Sequence, residues 1–516
     1  MKLILLVLSV LFGVNNGYRI LCLLPYPGKS HHMVFEPLLQ ELQNRGHHLT
    51  VVSFFPQPNR ENRRDVSLVG LAPLAVESID LRSLETSYTI KYFNHIPLVT
   101  HLAKSNLKLC ETVLDSPVFQ EFIAGKGDYD VILVEHFNSD CMLGVIHNYG
   151  VPSVGLMSSA LLPWSHSRVG ASDNPSYVPG MTLPFTDQMS FYERTVNTFI
   201  LFFYIYWYEI EIRWKEQKLL EGKFGRLPPL EEIAKNTSVV LVNTHYSWNG
   251  VRILPPSVVE VGGLHLHNRT INRLPPESSE HGFIVMSFGS LVKGSTLPQK
   301  QLQAIINVFA RLPQKIVMKW ETDIQNLPKN VMIVRWLPQF DLLNHPNCVA
   351  FITHGGLLSL TEAVFAGVPV LAMPILGDQF GNAAHAHKAG IGEVIELLEV
   401  EEKELDRKLK RVLSAETRLQ AKLVSDIWKD RPSNPMDTAI FHIERVAKYK
   451  GLDMSSEARR LNRVQLALLD VYAFYLFSIV LICFVTCVSS QVQVKQNCTY
   501  YNNKLRNASE CKQNRT

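Results

Sequence analysis

The sequence predicts two α/β domains, each a doubly wound parallel sheet, facing one another across a cleft and followed by a single transmembrane helix. Three observations carry this. From Tyr18 short apolar runs alternate with helical patterns: ILCLL, HHMVFEPLLQELQNRG, LTVVSFF, DVILVE, SDCMLGVIHNYG and VPSVGLM. The alternation restarts at Gly282 with FIVMSF, a helix over 299–311, KIVMKW, VMIVRW, CVAFIT, a helix over 357–366 and VPVLAMP. Val471 to Val488 carries no charge, and at about 1.5 Å per residue it reaches about 27 Å, the thickness of a bilayer's hydrocarbon. At 516 residues the chain exceeds one core, since domains run to roughly 150 residues. The Gly-, Asn- and Pro-rich stretch Val261 to Pro276 is the expected linker.

The ends set the compartment. Met1 and Lys2 precede the apolar run Leu3 to Val14 and then Asn15, Asn16 and Gly17, the pattern of a cleaved secretory signal. A cleaved signal with one late span places residues 18 to about 465 in the lumen, so the sequons at Asn236 and Asn268 are expected to be glycosylated and those at Asn497 and Asn507 are not. The tail from Gln491, rich in Asn, Gln and Lys, reads as disordered. With 51 Lys and Arg against 47 Asp and Glu, and no long basic block, nucleic acid is excluded as a partner. The four cysteines of the lumenal part, Cys22, Cys110, Cys141 and Cys348, show no metal spacing and leave any disulfide unread. Between the two alternating halves, the aromatic segment Asn197 to Trp214 reads equally as a roof over the cleft or as a membrane-interface helix.

The densest chemistry runs from Trp336 to Gln379. Strand CVAFIT enters a His-Gly-Gly turn that opens a helix, whose exposed amides form an anion site fit for a diphosphate. Gly355 and Gly356 permit close backbone approach, His354 adds a donor and Ser359 a hydroxyl. Glu362, about two turns on, suits two vicinal ribose hydroxyls. Trp336 offers a flat face for a base with Gln339 at its edge, and Asp378 and Gln379 suit sugar hydroxyls.

This pattern, with SFGS at 287–290, VGGLH at 261–265 and PMDTA at 435–439, resembles the UDP-glycosyltransferases, the family of the UDP-glucuronosyltransferases and the arthropod UDP-glucosyltransferases. The resemblance implies the glycosyltransferase-B architecture: a signal peptide over 1–17, an acceptor-binding domain over 18–262, a UDP-sugar-binding domain over 263–450, a linker over 451–470, a span over 471–488 and a cytosolic tail over 489–516. It implies a donor site containing Ser287, Trp336, Gln339, His354, Gly356, Ser359, Glu362, Asp378 and Gln379. It departs at Leu358, where many vertebrate members have Asn. In this architecture no metal or other cofactor is expected, because helix amides and His354 stabilise the leaving diphosphate. The DxD-like Asp128-Tyr129-Asp130 reads as a surface turn.

Glycosyl transfer to an alcohol or phenol needs a base, and histidine suits it near neutral pH. In LPYPGKSHHMVFEPL, His31 follows Ser30 at the start of a helix, where the resemblance places the catalytic histidine; His32, about 100° around, is its competitor. The partner carboxylate falls on Glu135, with Asp140 as fallback and its capping role beside Asn138 or Ser139 the simpler reading.

The implied activity is inverting transfer of a hexose from UDP to small lipophilic acceptors such as phenols, xenobiotics or endogenous metabolites, at the lumenal face of the endoplasmic reticulum as a single-pass membrane protein. Motifs such as HGGLLS favour glucose. The alternatives are a sterol or sphingolipid glycosyltransferase and a non-catalytic carrier of hydrophobic ligands. The acceptor pocket is expected from stretches 81–108 and 161–191, and a homo-oligomer is left open.

Overall fold

The computed structural model describes residues 17–58, 60–82, 95–271, 280–451 and 454–513. The expected signal peptide lies outside them but for Gly17, as do residues 83–94 of the acceptor stretch and 272–276 of the linker. The chain divides into two compact units, residues up to Ser456 and the helical remainder from Glu457.

The larger unit contains two parallel sheets. The first has the strand order Arg63–Ser67, His48–Ser53, Arg19–Leu24, Val131–Glu135, Ser153–Met157, Thr237–Val242, Val258–Glu260. Its strands are apolar almost throughout because helices cover both faces: Ile20, Cys22, Val131 and Leu133 face the helix Lys29–Asn44, and Leu21, Leu23, Ile132 and Val134 face a second core. The second sheet runs Val331–Val334, Lys315–Lys319, Phe283–Ser287, Cys348–Thr353, Val370–Ala372, Gly392–Val394. In each sheet the order reverses beside the first strand to be laid down, between Arg19–Leu24 and Val131–Glu135 and between Phe283–Ser287 and Cys348–Thr353.

The domains are stitched together. Ile79 and Asp80 pair with Val292 and Lys293 as a short parallel ladder, and Leu81 is buried in the second domain's core. The linker is itself core material, because Val261 and Leu264 pack under the first sheet while Leu266 joins the second domain. Within the stretch 263–450 expected to form the second domain, helix Pro435–Tyr449 returns to the first, burying Met436, Ala439, Ile440 and Ile443 against its strands.

The segment Asn197 to Trp214 is buried on one side and exposed on the other. It lies in helix Phe191–Tyr208 and a π-helical turn, Glu209–Arg213. Val196, Ile200, Tyr204, Trp207 and Tyr208 face inward, while Phe199, Phe202, Tyr206, Ile210 and Trp214 are about half exposed.

Asp140 corrects the expectation set for it. It neither caps a helix nor supports the base: its carboxylate accepts from Tyr208 Oη at 2.9 Å and Arg213 Nε at 3.0 Å and also pairs with Arg168. Burial alone raises its pKa, but the two guanidiniums win and hold it below the usual carboxylate range. Capping falls to a residue far away in sequence, because Glu216 accepts from the Asp140 backbone N–H and, at 2.6 Å, from the Ser139 hydroxyl. Cys110 and Cys141 form a disulfide that ties the helix His95–Asp115 to the same loop.

The smaller unit is dominated by helix Leu469–Gln513, which is long and apolar enough to cross a membrane, with its apolar side chains exposed. The expected disordered tail continues this helix. Residues 469–513 contain neither Gly nor Pro, so a helix nucleated by the span propagates at little cost per residue.

Glu216 provides a test of the buried cluster. Burial and then the Asp140 charge raise its pKa from 4.5 to about 8, so the native state binds a proton that the unfolded chain releases. Its contribution to stability is therefore full below about pH 4.5 and declines as pH rises toward 8, by up to about 1.4 kcal/mol per pH unit. Glu216→Gln removes that slope. Thermal melts of the two proteins between pH 5 and pH 8 are expected to show the Gln variant gaining on the parent as pH rises; a pH-independent difference refutes the protonated carboxyl.

Candidate active site

Both reversal points open toward the carboxyl ends of their strands, where open α/β sheets hold ligands. At the first, Pro25, Pro27 and Gly28 end the strand and helix Lys29–Asn44 begins with no side-chain cap on its first amides. His31 lies in that first turn. Its Nδ1 is 2.6 Å from Glu135 Oε1, the last residue of the strand across the reversal, and 3.0 Å from Ser158 Oγ at the end of the next strand. Tyr26 and Phe137 press on the ring from two sides, with centroids 4.6 and 4.5 Å away. His32 points elsewhere, toward Glu36 at 3.2 Å and against the Phe55 ring. Of the adjacent pair, only His31 meets the Glu135 carboxylate.

This arrangement fixes the direction of the imidazole. A carboxylate at Nδ1 holds the proton there and leaves Nε2 as the basic nitrogen, and the same carboxylate stabilises the imidazolium formed when Nε2 takes a proton. Ser158, Tyr26 and Phe137 escaped sequence reasoning. They lie 127, 5 and 106 residues from His31, and only the strand order brings them together.

At the second reversal Ser287 ends one strand and His354 follows the other. Gly356 precedes helix Leu357–Ala366, whose first turn carries neither a capping side chain nor an acid, so its amides point outward unclaimed by the helix itself. The His354 ring is wedged between two glycines: a Cβ on Gly289, where φ is +76°, would come 2.7 Å from it, and one on Gly356 would come 2.5 Å from its Nε2. Burial first and the Lys319 charge second lower its pKa from 6.5 to about 4, so it is a neutral donor at physiological pH. Lys319 itself, buried, donates to the Gly289 carbonyl at 2.8 Å. It was not foreseen; its signal was a lysine at the end of the otherwise apolar strand KIVMK.

The residues expected to face the nucleoside also converge. Gln339 Nε2 donates to Glu362 Oε2 at 2.7 Å and to Ser359 Oγ at 3.2 Å, and Arg269 Nη1 donates to Glu362 Oε1 at 2.7 Å. Trp336 is 60% exposed, leaving area for a ring to stack, and Lys29 of the first domain reaches its ring at 4.1 Å from the centroid. Arg269 comes from the linker, 93 residues before Glu362, and nothing local announced it. Asp378 accepts from Asn382 Nδ2 at 2.9 Å. Burial raises its pKa, which the Asn382 hydrogen bond and the His31 charge partly offset, so the two domains' key residues share one electrostatic environment. Gln379 accepts from the Ile375 and Leu376 amides at 2.8 and 3.1 Å, which fixes the loop before it and leaves only its NH₂ end for a sugar. Leu358, at the position that departs from the vertebrate pattern, packs against the first domain's core.

The remaining sequence candidates lie elsewhere. Asn236 and Asn268 are exposed. Asp128 and Asp130 pair with Arg19 at the start of the first strand, at the opposite end of the sheet from His31.

Known proteins resemble this chain in sequence and in fold. Residues 21–504 match the family model described as UDP-glucoronosyl and UDP-glucosyl transferase. The chain is 32% identical over 94% of both chains to UDP-glucosyltransferase 2 of Dactylopius coccus, and 33% identical to UDP-glycosyltransferase UGT4 of the same species over 93% of this chain and 97% of that one. To UDP-glucuronosyltransferase 1A8 of Rattus norvegicus it is 27% identical over 92% of this chain and 91% of that one. Among solved structures, the glycosyltransferase VinC in complex with DTDP superposes with a TM-score of 0.54 at 17% identity, covering 84% of this chain and 99% of that one, which establishes the shared glycosyltransferase-B fold. The chain belongs to the UDP-glucoronosyl and UDP-glucosyl transferase family and is a UDP-glycosyltransferase.

Proposed function

We propose that the chain transfers glucose from UDP-glucose to a hydroxyl of small lipophilic acceptors such as phenols, with inversion at the anomeric carbon, on the lumenal side of the endoplasmic reticulum membrane. The observation that carries this reading is the 2.6 Å contact between His31 and Glu135 at the first reversal point. His31 Nε2 takes the acceptor's proton as its oxygen bonds to the anomeric carbon. The bond from that carbon to the diphosphate breaks on the opposite face, and UDP leaves. The amides of helix Leu357–Ala366, with neutral His354, hold the diphosphate as its charge grows. Trp336 stacks on the base with Gln339 at its edge, Glu362 takes the ribose hydroxyls in exchange for its present partner Arg269, and Asp378 and Gln379 hold the sugar. Ser287 and Ser359 line the same cradle, and none of these steps calls on a metal ion.

Glucose is favoured over glucuronic acid by the HGGLLS motif at 354–359, and because one relative is named a UDP-glucosyltransferase. The lumenal assignment draws support from the Cys110–Cys141 disulfide, a bond that persists in oxidising compartments, and from the apolar helix Leu469–Gln513 as anchor. Exposed Asn236 and Asn268 then carry glycans.

Membranes containing the protein, offered UDP-glucose, UDP-glucuronic acid and UDP-N-acetylglucosamine with phenolic acceptors, are expected to release UDP from UDP-glucose in an acceptor-dependent way. His31→Ala is expected to lower kcat by about 10² to 10⁴. Turnover undiminished by that change removes His31 as the base; release from UDP-glucuronic acid alone overturns the sugar assignment. Gly356→Ala, whose Cβ would meet His354 at 2.5 Å, is expected to displace the ring and raise the KM for UDP-sugar about tenfold or more, read from donor titrations at saturating acceptor; an unchanged KM would separate His354 from the diphosphate.

A further inference from the structure

The cations already placed in the donor site are committed to protein partners. Lys319 donates to the Gly289 carbonyl at 2.8 Å and stands 3.8 Å from the carboxylates of both Glu77 and Glu321. Arg269 is paired with Glu362 at 2.7 Å. His354 is neutral, because burial and then the Lys319 charge lower its pKa to about 4. The helix amides and His354 therefore offer dipoles but no net charge to a sugar diphosphate, which is dianionic, or to departing UDP, which is more negative still. An anion taken out of water without a counter-charge is costly.

An uncommitted cation reaches this site from the other domain. Lys29 has no carboxylate partner among the described residues, and its ammonium rests 4.1 Å from the centroid of the Trp336 ring. It is the first residue of helix Lys29–Asn44, in the same turn as His31. Its backbone is fixed by the residues around it: a Cβ on Gly28 would come 2.5 Å from the Tyr26 ring, and Tyr26 in turn packs on His31. Its side chain is free to move, since it is only half-buried and the first turn of its helix contains no acid. The donor is expected to stretch from Trp336, at the base, to Asp378, at the sugar, and the His31 charge acts on Asp378 across the cleft. A side chain rooted in the His31 turn and ending on Trp336 spans that path, and the diphosphate belongs between its two ends.

We propose that Lys29 is a donor-binding residue supplied across the cleft: uracil stacking on Trp336 displaces its ammonium from the ring, and the freed ammonium pairs with the diphosphate and neutralises it as UDP leaves. The inference rests on the donor-site reading above and adds a residue to it. The exchange is favourable because a cation over an exposed ring is weakly held, whereas charge-assisted hydrogen bonds to phosphate oxygens are among the strong ones. It also ties the donor to the base, since the turn that carries Lys29 carries His31. In the free protein the same ammonium covers the Trp336 face, so a ligand with the base but no phosphate must displace it without compensation.

The test is equilibrium binding of radiolabelled UDP and radiolabelled uridine to the full-length protein in detergent micelles. Lys29→Met, which keeps an apolar stem over the ring and removes the charge, is expected to raise the Kd for UDP about tenfold or more, the scale of one charge-assisted hydrogen bond, and to leave the Kd for uridine unchanged or lower. Lys29→Arg is expected to restore most of the affinity for UDP. Trp336→Leu, which removes the stacking face, is expected to weaken both ligands. A UDP affinity unchanged or improved in Lys29→Met overturns the proposal and leaves Lys29 as a cover on the ring; a loss of equal size for UDP and uridine overturns it too, because the charge then acts on the base side or on folding and not on the phosphates. Uridine binding at parental strength shows that the Met variant has kept its site, so a misfolded variant is not mistaken for support. Failure of the parent to bind UDP, or indifference of both ligands to Trp336→Leu, is a distinct result, which overturns the donor-site reading and the role of Lys29 with it.

Discussion

Everything functional in this chain depends on one topological constraint: in each of two parallel sheets, the connection that reverses the strand order leaves two neighbouring strands whose following loops diverge. Where they diverge, no crossover covers the carboxyl ends, and side chains from distant parts of the sequence meet in an open crevice. The first reversal joins His31 to Glu135, 104 residues apart. The second joins the Ser287 turn to His354 and to the uncapped helix that follows it. The proposed base and the proposed diphosphate cradle are thus two uses of the same geometry. The ladder of Ile79 and Asp80 with Val292 and Lys293, and the buried linker, hold the two crevices face to face.

The electrostatics divide the site from its support. Behind the crevice, Asp140 with Arg168, Arg213 and Tyr208 forms a fully buried charged cluster, and Glu216 beside it escapes the cost of burial by keeping its proton. Removing one member of such a cluster leaves a bare buried charge, so the cluster makes the loop after Glu135 rigid even if it adds little net stability. The Cys110–Cys141 disulfide fastens the same loop from the other side. In the crevice itself the histidines differ in their surroundings: His354, wedged between glycines and near Lys319, is kept neutral, whereas His31 has a carboxylate 2.6 Å from its Nδ1.

The sequence was most legible where a function is carried by consecutive residues. The turn His354-Gly355-Gly356 and the Ser359 and Glu362 that follow on one helix lie within about two turns of each other, where spacing alone sets relative position. His31, at a helix start, and Glu135, at a strand end, were legible through the family resemblance. Asp140 was misread because local spacing favours a cap, whereas its partners Arg168, Tyr208 and Arg213 arrive from 28 to 73 residues away. The tail was misread because composition suggested disorder, while the uninterrupted helix Leu469–Gln513 carries its hydrogen bonds straight out of the apolar span.

By itself, then, the sequence determined the two alternating α/β halves, the long apolar segment and the contiguous His-Gly-Gly motif, because each is encoded in hydrophobic period or in contiguous residues. Tertiary structure alone decided which of His31 and His32 meets the carboxylate, that Ser158 and two aromatic rings contact the imidazole, and that Arg269 meets Glu362 and Lys319 the Gly289 carbonyl. The physical reason is the parallel sheet. Each of its strand neighbours is separated by a crossover of many residues, so proximity across it is fixed by strand order and packing, which no local pattern records.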